Sequence, residues 1–519
     1  MRTEIYSASL SGIEASPVVV EVDIAPGIGI HLVGLPDSAV KESLLRTVTA
    51  LNYLGFHIPG KRIVINLAPA DMQKKGSGYD VPIALGIIAA SGQLSLPFLK
   101  DFMVMGELSL DGSVRYVPGA LPVAEYASRN GFTGCIFPEE SAYDTLEFAD
   151  KNVYAVRSLI DVVQIVKTGG IPSFLVENVA SRNGRIAEYV SEDTFCKGND
   201  VMDFSEIIGQ ENAKRGLEIA AAGGHNVLMI GPPGSGKSSL AKAMSAILPP
   251  LTKEEALQTN KIYSVSGGVS RRGVKIRPFR SPHYNISMST LLGGGSVNIM
   301  PGEVSLAHNG VLFIDEFAEL PRAVAEALRG PLEDRVVEVS RVHSKVRYPA
   351  SFMLVAATNP CPCGYYGEGD KCTCPPARRH SYLSKLSGPL MDRIDLHLWL
   401  HPVPPSEVAR FKKGETSMMV AKRVSSARDI QLERFRDEGI FMNSEMSMAQ
   451  IRKFCPLDKE CVDFMKQSME VFGLSVRAFA RIIKIARTIA DLEGTKDIQK
   501  MHLCEAVGYR FLDKNNMNM

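Results

Sequence analysis

Two hydrophobic periodicities run along this chain and divide it into regions. Residues 18–24 (VVVEVDI), 28–33 and 62–67 (RIVINL) carry apolar side chains at alternate positions or in short continuous runs, which predicts strands. Residues 38–54 and 81–91 read as helices. Residues 103–108, then Asp111-Gly112, then 114–117 predict a hairpin. Further along, 227–230 (VLMI), 311–314 (VLFI) and 351–356 (SFMLVA) predict short strands, the first two buried. A helix is expected over 211–222 and another from Ser238 onward. Residues 335–348 (RVVEVSRVHSKVRY) alternate with a period of two, which predicts a hairpin with Arg341, His343 and Lys345 near its tip. Residues 474–487 form an amphipathic pattern: Val476, Phe479, Ile483, Ala486 and Ala490 share one face, and Arg477, Arg481, Lys484 and Thr488 lie on an adjoining stripe. That stripe fits a solvated surface as well as a binding one, which leaves Arg481 and Lys484 unassigned.

The run at 227–230 gains meaning from the loop directly after it. Gly231-Pro232-Pro233-Gly234-Ser235-Gly236-Lys237-Ser238 satisfies the G-x-x-x-x-G-K-[ST] pattern at every fixed position. Glycines let backbone N–H groups turn inward around phosphate oxygens, where a Cβ would block approach. Lys237 offers a point charge to the β- and γ-phosphates, Ser238 offers a hydroxyl to Mg²⁺, and the helix N-terminus adds a positive dipole end. The run at 311–314 ends in Asp315-Glu316; Asp315 suits the Mg²⁺ shell and Glu316 suits a base for the attacking water. The strand at 351–356 leads into Thr358-Asn359-Pro360, and Asn359 fits a polar sensor of the γ-phosphate. Arg393, in GPLMDRID, fits a finger that reaches a neighbouring subunit's ATP, and Arg477 fits a lid arginine on nucleotide phosphates.

Composition narrows the partners more than the fold. With 519 residues, about three domains are expected. A net charge of +1 advertises no bulk attraction to nucleic acid or membrane, so any such contact must be a local patch. No apolar span is long enough to cross a bilayer, and MRTEIYSASLSG lacks the apolar core of a signal peptide. Four of the nine cysteines cluster as Cys361-Pro-Cys363 and Cys372-Thr-Cys374. They read as a structural Zn²⁺ site, with a disulfide or redox pair as the rival, and the rest suit a reducing, cytoplasmic setting.

The fold class is therefore α/β: a mixed unit over 1–170, a linker over 171–203 with one short helix, a nucleotide-binding core over 204–402 that contains the cysteine loop 361–374, and a helical part over 403–519. The first unit, with GELSLDGSVRYVPGAL at 106–121, resembles the proteolytic domain of Lon-type proteases. That resemblance implies a Ser–Lys dyad, but Gly78 stands in the serine's place, with Ser77 one position off, and Pro122 stands in the lysine's. A proline cannot serve as a base, so peptidase chemistry is not expected. The segment with Ile208 and Gln210 resembles the adenine-side box of AAA+ ATPases. Over nearly its whole length, through SPHYN, HNGVLFIDE, TNPCPCGYYG, GPLMDRIDLH and LSVRAFARI, the chain resembles the YifB/ComM-type, magnesium-chelatase-like AAA+ ATPases.

The resemblance implies ATP and Mg²⁺ as cofactors, a homo-hexameric ring with nucleotide at subunit interfaces, and a DNA motor that promotes branch migration in recombination and uptake. It places residues 276–295 as an insert and the basic hairpin tip in the ring's pore. Two other readings remain: a chelatase-type motor subunit, and an ATPase that remodels protein.

Overall fold

The long strand pair at the amino end sets the first layer. In this computed structural model, which describes residues 2–148, 152–183, 202–267, 274–295, 299–341, 344–409, 413–510 and 512, β1 (Arg2–Ser11) pairs antiparallel with β2 (Glu14–Ala25) from Arg2↔Asp23 to Ser11↔Glu14. The chain continues through β3 (Ile30–Val33), β4 (Arg62–Ala68), β5 (Phe102–Val104), β6 (Glu107–Leu108), β7 (Val114–Arg115), β8 (Gly134–Pro138) and β9 (Asn152–Val156). Seven of these form one mixed sheet in the order β3-β4-β2-β1-β5-β8-β9. The helices Ser38–Tyr53 and Asp80–Ala90 contribute Val40, Leu51, Val81, Ile83 and Leu85 to a core closed by Ile5, Val20, Val22 and Ile65. The expected hairpin across 103–117 is present but shorter, Glu107–Leu108 with Val114–Arg115 around Asp111-Gly112. β5 stops at Val104 and belongs to the main sheet, while β6 and β7 pair separately. The break falls at Gly106, where a Cβ would come within 2.7 Å of Val114 and 2.9 Å of Val81.

The second sheet is fully parallel. It comprises β10 (Val227–Ile230), β11 (Phe279–Arg280), β14 (Val311–Ile314), β17 (Met353–Thr358) and β18 (Leu396–Trp399), in the order β11-β14-β17-β10-β18. Every residue of β10, β14 and β17 is buried, as continuous apolar runs require in a sheet covered on both faces. Residues 276–295 are not wholly an insert, because Phe279–Arg280 is the sheet's edge strand, paired with Val311 and Leu312. A small ladder, β12 (Gly293–Gly294) with β13 (Met300–Pro301), follows it. The hairpin β15 (Val336–Arg341) and β16 (Ser344–Pro349) leaves the core sheet and closes at Arg341↔Ser344.

The C-terminal helices Ser417–Arg434, Lys459–Phe472, Val476–Leu492 and Lys500–Gly508 share one apolar cluster with β10, β18 and the helix Glu211–Gly223. The expected apolar face of the third is corrected at one end: Val476 is 67% exposed. The adjoining stripe is mostly internal, since Arg481 pairs with Asp395 at 3.0 Å, Lys484 donates to the Ser444 carbonyl, and Thr488 is buried against His225. The first unit and the nucleotide-type core meet through Ile13, Ile262, Val346 and Tyr348, with Lys261 bridging to Glu125 at 2.5 Å. Among the described residues no helix is long and apolar enough to cross a membrane.

Candidate active site

The register of the parallel sheet brings three loops to one edge. Ile230 pairs with Thr358, and Ile314 with Ala356, so Gly231, Asp315 and Asn359 leave the sheet together at its carboxyl ends. Ligands bind at that edge of such sheets. Within the loop, Gly234 and Gly236 are left-handed, at φ +77° and +89°, and a Cβ on either would project into open space. Their role is conformational, leaving a cradle of backbone. Gly231 is required for a different reason, because its Cβ would lie 2.8 Å from both Leu400 Cβ and Ser235 Oγ. The Ser235 hydroxyl itself is buried and has no hydrogen-bond partner among the described residues.

Lys237 opens the helix Lys237–Met244, and its ammonium donates to the carbonyls of Gly231 (2.7 Å) and Pro232 (2.9 Å) and to Asn359 Oδ1 (3.2 Å). Burial lowers its pKa, against the raising pull of Asp315 and Glu316. The Ser238 hydroxyl donates to Asp315 at 2.8 Å, which sets the two oxygen ligands suited to Mg²⁺ side by side. Glu316 is exposed and left-handed at φ 50°, turned out of the strand by its N–H bond to Asp315 Oδ1. An open cradle, an unpaired buried hydroxyl, a desolvated lysine and a hydroxyl–carboxylate pair together fit a nucleoside triphosphate with Mg²⁺. Gln210 joins this edge by spending its amide on the carbonyls of Ser235 and His401, so its side chain clasps the loop; Ile208 beside it is half-buried.

The two arginines lie at the opposite edge. Asn226, just before β10, donates through its side-chain amide to the Arg393 carbonyl and accepts the Leu354 N–H, both at 2.8 Å. Asp395 N–H donates to the Asn226 carbonyl, so Arg393 sits at the amino ends of β10 and β18. Four residues of strand, about 13 Å at roughly 3.3 Å each, separate it from Gly231. Its guanidinium is held by Glu333 and the Pro389 carbonyl. Arg477 pairs with the adjacent Asp392 at 3.2 Å. Both arginines line a cleft of about 480 Å³ that includes Arg481 and Lys484 and none of residues 231–238. The structure thus joins Lys237, Ser238, Asp315, Glu316 and Asn359, and holds Arg393 and Arg477 apart from them.

Residues given no role in the sequence reading, Asp395 and His225, organise this second edge. Burial would raise the Asp395 pKa, but the His225 hydrogen bond and the charge of Arg481 outweigh it and hold the carboxyl well below its ordinary value. His225 in turn contacts Thr488 at 2.9 Å, linking the segment before β18 to the C-terminal helices. An asparagine directly before a buried strand, and Asp-Leu-His two residues after the arginine, were the available signals.

The remaining candidates fall elsewhere. On the hairpin, Lys345 is exposed and pairs with Glu338 at 3.0 Å, which also faces Arg347 at 3.8 Å; His343 lies outside the described residues. Cys361, Cys363, Cys372 and Cys374 converge, with all four sulfurs within 4.8 Å of one another. In the first unit, Gly78 borders a cavity of about 160 Å³ lined also by Lys75, Tyr79, Met105 and Val117. Pro122 is buried in the helix Ala120–Arg129, and the Ser77 hydroxyl is committed to Glu107.

Residues 203–408 match the family described as magnesium chelatase, subunit ChlI; residues 20–141 match subunit ChlI of Mg-chelatase, and 414–510 its C-terminal part. An uncharacterized protein YifB of Salmonella typhimurium is 40% identical over 514 residues, 98% of this chain and 97% of that one. The chain belongs to the YifB/ComM family of magnesium-chelatase-like AAA+ proteins. A second relative in this YifB/ComM group, the competence protein ComM of Haemophilus influenzae, is 41% identical over 98% of this chain and 97% of its own. The Lon likeness is local: an archaeal Lon protease of Methanocaldococcus jannaschii is 26% identical over 145 residues, 28% of this chain and 22% of that protein. YifB/ComM membership implies ATPase chemistry with ATP and Mg²⁺.

Proposed function

We propose that this protein is an ATP-driven ring motor acting on DNA, a branch-migration helicase of recombination or DNA uptake, with six copies as the working assembly. The observation that carries the ring is the split site: the phosphate loop and the two arginines sit at opposite ends of a four-residue strand. An arginine so placed reaches a γ-phosphate only when a second copy presents its own loop. What supports DNA is the basic hairpin with Arg341, Lys345 and Arg347, and the name of the ComM relative. Six such tips would meet phosphates without reading sequence.

In this reading Lys237 and the backbone of Gly234–Gly236 cradle the β- and γ-phosphates. Mg²⁺ held by Ser238 and Asp315 supplies charge neutralisation there. Glu316 takes the proton from the attacking water, Asn359 orients that water, and the neighbour's Arg393 and Arg477 meet the charge that develops on the transferring phosphoryl group. The four cysteines hold a structural metal beside this edge, and Ile208 and Gln210 border the base. The deciding experiment is the steady-state ATPase rate with and without single-stranded DNA at low and moderate salt. A several-fold stimulation that fades as salt rises is expected. A rate indifferent to DNA would shift the assignment to a chelatase-type subunit or a protein-remodelling ATPase.

A further inference from the structure

The cysteine loop is a chemically distinctive cluster that ATP chemistry does not use. The Sγ separations are 3.3 Å for Cys361 and Cys363, 3.8 Å for Cys361 and Cys372, and 3.7 Å for Cys363 and Cys372. Four sulfurs bound at about 2.3 Å around a tetrahedral Zn²⁺ stand about 3.8 Å apart. A disulfide needs about 2.05 Å. All four are free thiols, and Cys361 is fully buried. These three separations therefore lie near the edge length of a coordination tetrahedron and far from a bonded pair, and all four sulfurs stand within 4.8 Å of one another.

The position of the cluster gives it a task. It begins two residues after Asn359 and has little regular structure, only the three-residue turn Gly369–Lys371. Its first turn is closed by Gly364 N–H donating to the Cys361 carbonyl at 2.9 Å. Gly364, at φ +86°, lies flat on the phosphate loop: a Cβ there would come within 2.8 Å of Pro233 Cδ and 3.8 Å of Asn359 Cγ. The far end enters the helix Pro376–Leu383, whose Arg379 stacks on Tyr366 of the loop at 4.1 Å. We infer that Cys361, Cys363, Cys372 and Cys374 form a structural Zn²⁺ centre that braces Asn359 against the phosphate-binding loop. Four thiolates leave no open coordination position, so the ion does no catalysis. It cross-links residues 361 to 374 and steadies a sensor whose side-chain amide oxygen is held by Lys237. The bracing role rests on the ATP-site reading; the presence of the metal does not.

Two measurements on the full chain separate these. Metal analysis after exchange into metal-free buffer should give about one zinc per chain and no iron. Cys372→Ser and Cys374→Ser should each lose most of it, whereas Cys504→Ser, exposed and outside the cluster, and Lys237→Ala should keep it. Zinc-free protein as isolated, iron in its place, a disulfide among the four by mass spectrometry, or zinc retained in both serine variants would overturn the centre. Should the serine variants misfold, the wild-type chain stripped with a zinc-selective chelator and resupplied with Mg²⁺ tests the brace. Its ATP turnover should fall several-fold and recover on zinc addition, with binding of a fluorescent ATP analogue within about threefold of normal. Unchanged turnover in stripped protein would sink the bracing role. Stripped protein that also loses analogue binding would do the same, because the centre would then be holding the whole fold.

Discussion

Two loops in this molecule follow the same outline, and their contents differ in kind. One runs from β10 through Gly231–Ser238 into the helix Lys237–Met244; the other runs from β4 through residues 69–79 into the helix Asp80–Ala90. Both carry glycines and lysines at the edge of a sheet. In the first, Gly234 and Gly236 leave open backbone, and polar side chains converge on the opening. In the second, two of the charged groups are spent on the protein itself and one, Lys75, borders the cavity. Lys74 is buried with its ammonium on the Pro69 and Met72 carbonyls, and Asp80 is tied to Arg46 at 2.8 Å and to the Leu108 N–H at 3.1 Å. Burial raises the Asp80 pKa against the lowering effect of Arg46. The walls left to the cavity are largely apolar, and two of them, Val346 and Tyr348, come from the hairpin of the ATPase core. A glycine-bearing loop before a helix thus states nothing about chemistry until the partners of its polar groups are known.

The sharpest way to break the comparison is to empty each loop of its polar group. Lys237→Ala should raise the ATP dissociation constant by at least about 100-fold, since the loop loses its cation from a desolvated cradle. Glu316→Gln should bind ATP normally and lose about 10²- to 10⁴-fold in turnover, as removal of a general base does. Full turnover in that variant would end the assignment of Glu316. Arg393→Ala should leave binding intact and cost about 10³-fold or more in hydrolysis. Mixing Arg393→Ala subunits with Lys237→Ala subunits should then restore part of the rate, because a neighbour pair can combine one intact loop with one intact finger. A mixture as inactive as its components would place the finger elsewhere.

Much of the first loop and little of the second was legible in the sequence. The runs 227–230 and 311–314 are continuous because β10 and β14 are buried on both faces, and fixed residues come after both. β1 gives no such signal: its inward positions include Ser7 as well as Ile5, so its alternation is muted although it pairs along its whole length. β11 is two residues long and hides at the start of a stretch that reads as an insert. Which sheet edge Arg393 occupies depends on Asn226 and on the pairing of β18 with β10, contacts between residues about 170 apart in sequence. Arg481 and Lys484 looked equally suited to solvent, and only the packing of their helix against Asp395 and Ser444 decided the matter.

The second loop predicts smaller effects, on stability before activity. Asp80→Ala strips the partner from a half-buried arginine and should cost about 3 kcal/mol in the first unit, lowering its thermal transition by several degrees. ATP turnover measured well below that transition should stay within about twofold. A large loss of turnover with no change in melting would mean that Asp80 belongs to the motor. The hairpin packs on this unit through one face and exposes Lys345 on the other. Arg341→Ala and Lys345→Ala should each flatten the slope of log K for DNA against log salt by about 0.7 to 0.9, one phosphate contact apiece. An unchanged slope would take the hairpin off the DNA path.

The smallest expected effect is the most pointed test of the contrast between the two loops. Gly78→Ser should be accommodated, because the nearest atoms to a Cβ there are Met105 Cε at 3.5 Å and Val117 Cγ1 at 4.0 Å, ordinary contacts. Stability should move by no more than about 0.5 kcal/mol. The new hydroxyl should nevertheless stay inert toward an acylating serine probe, since the buried Pro122 offers no base and the nearby Ser77 is held by Glu107. The cavity lining does include an amine, Lys75. If the variant is labelled, and Lys75→Ala abolishes the labelling, the cavity still holds a usable base in a new place, and the two loops differ by one missing oxygen and not by the loss of a whole catalytic apparatus.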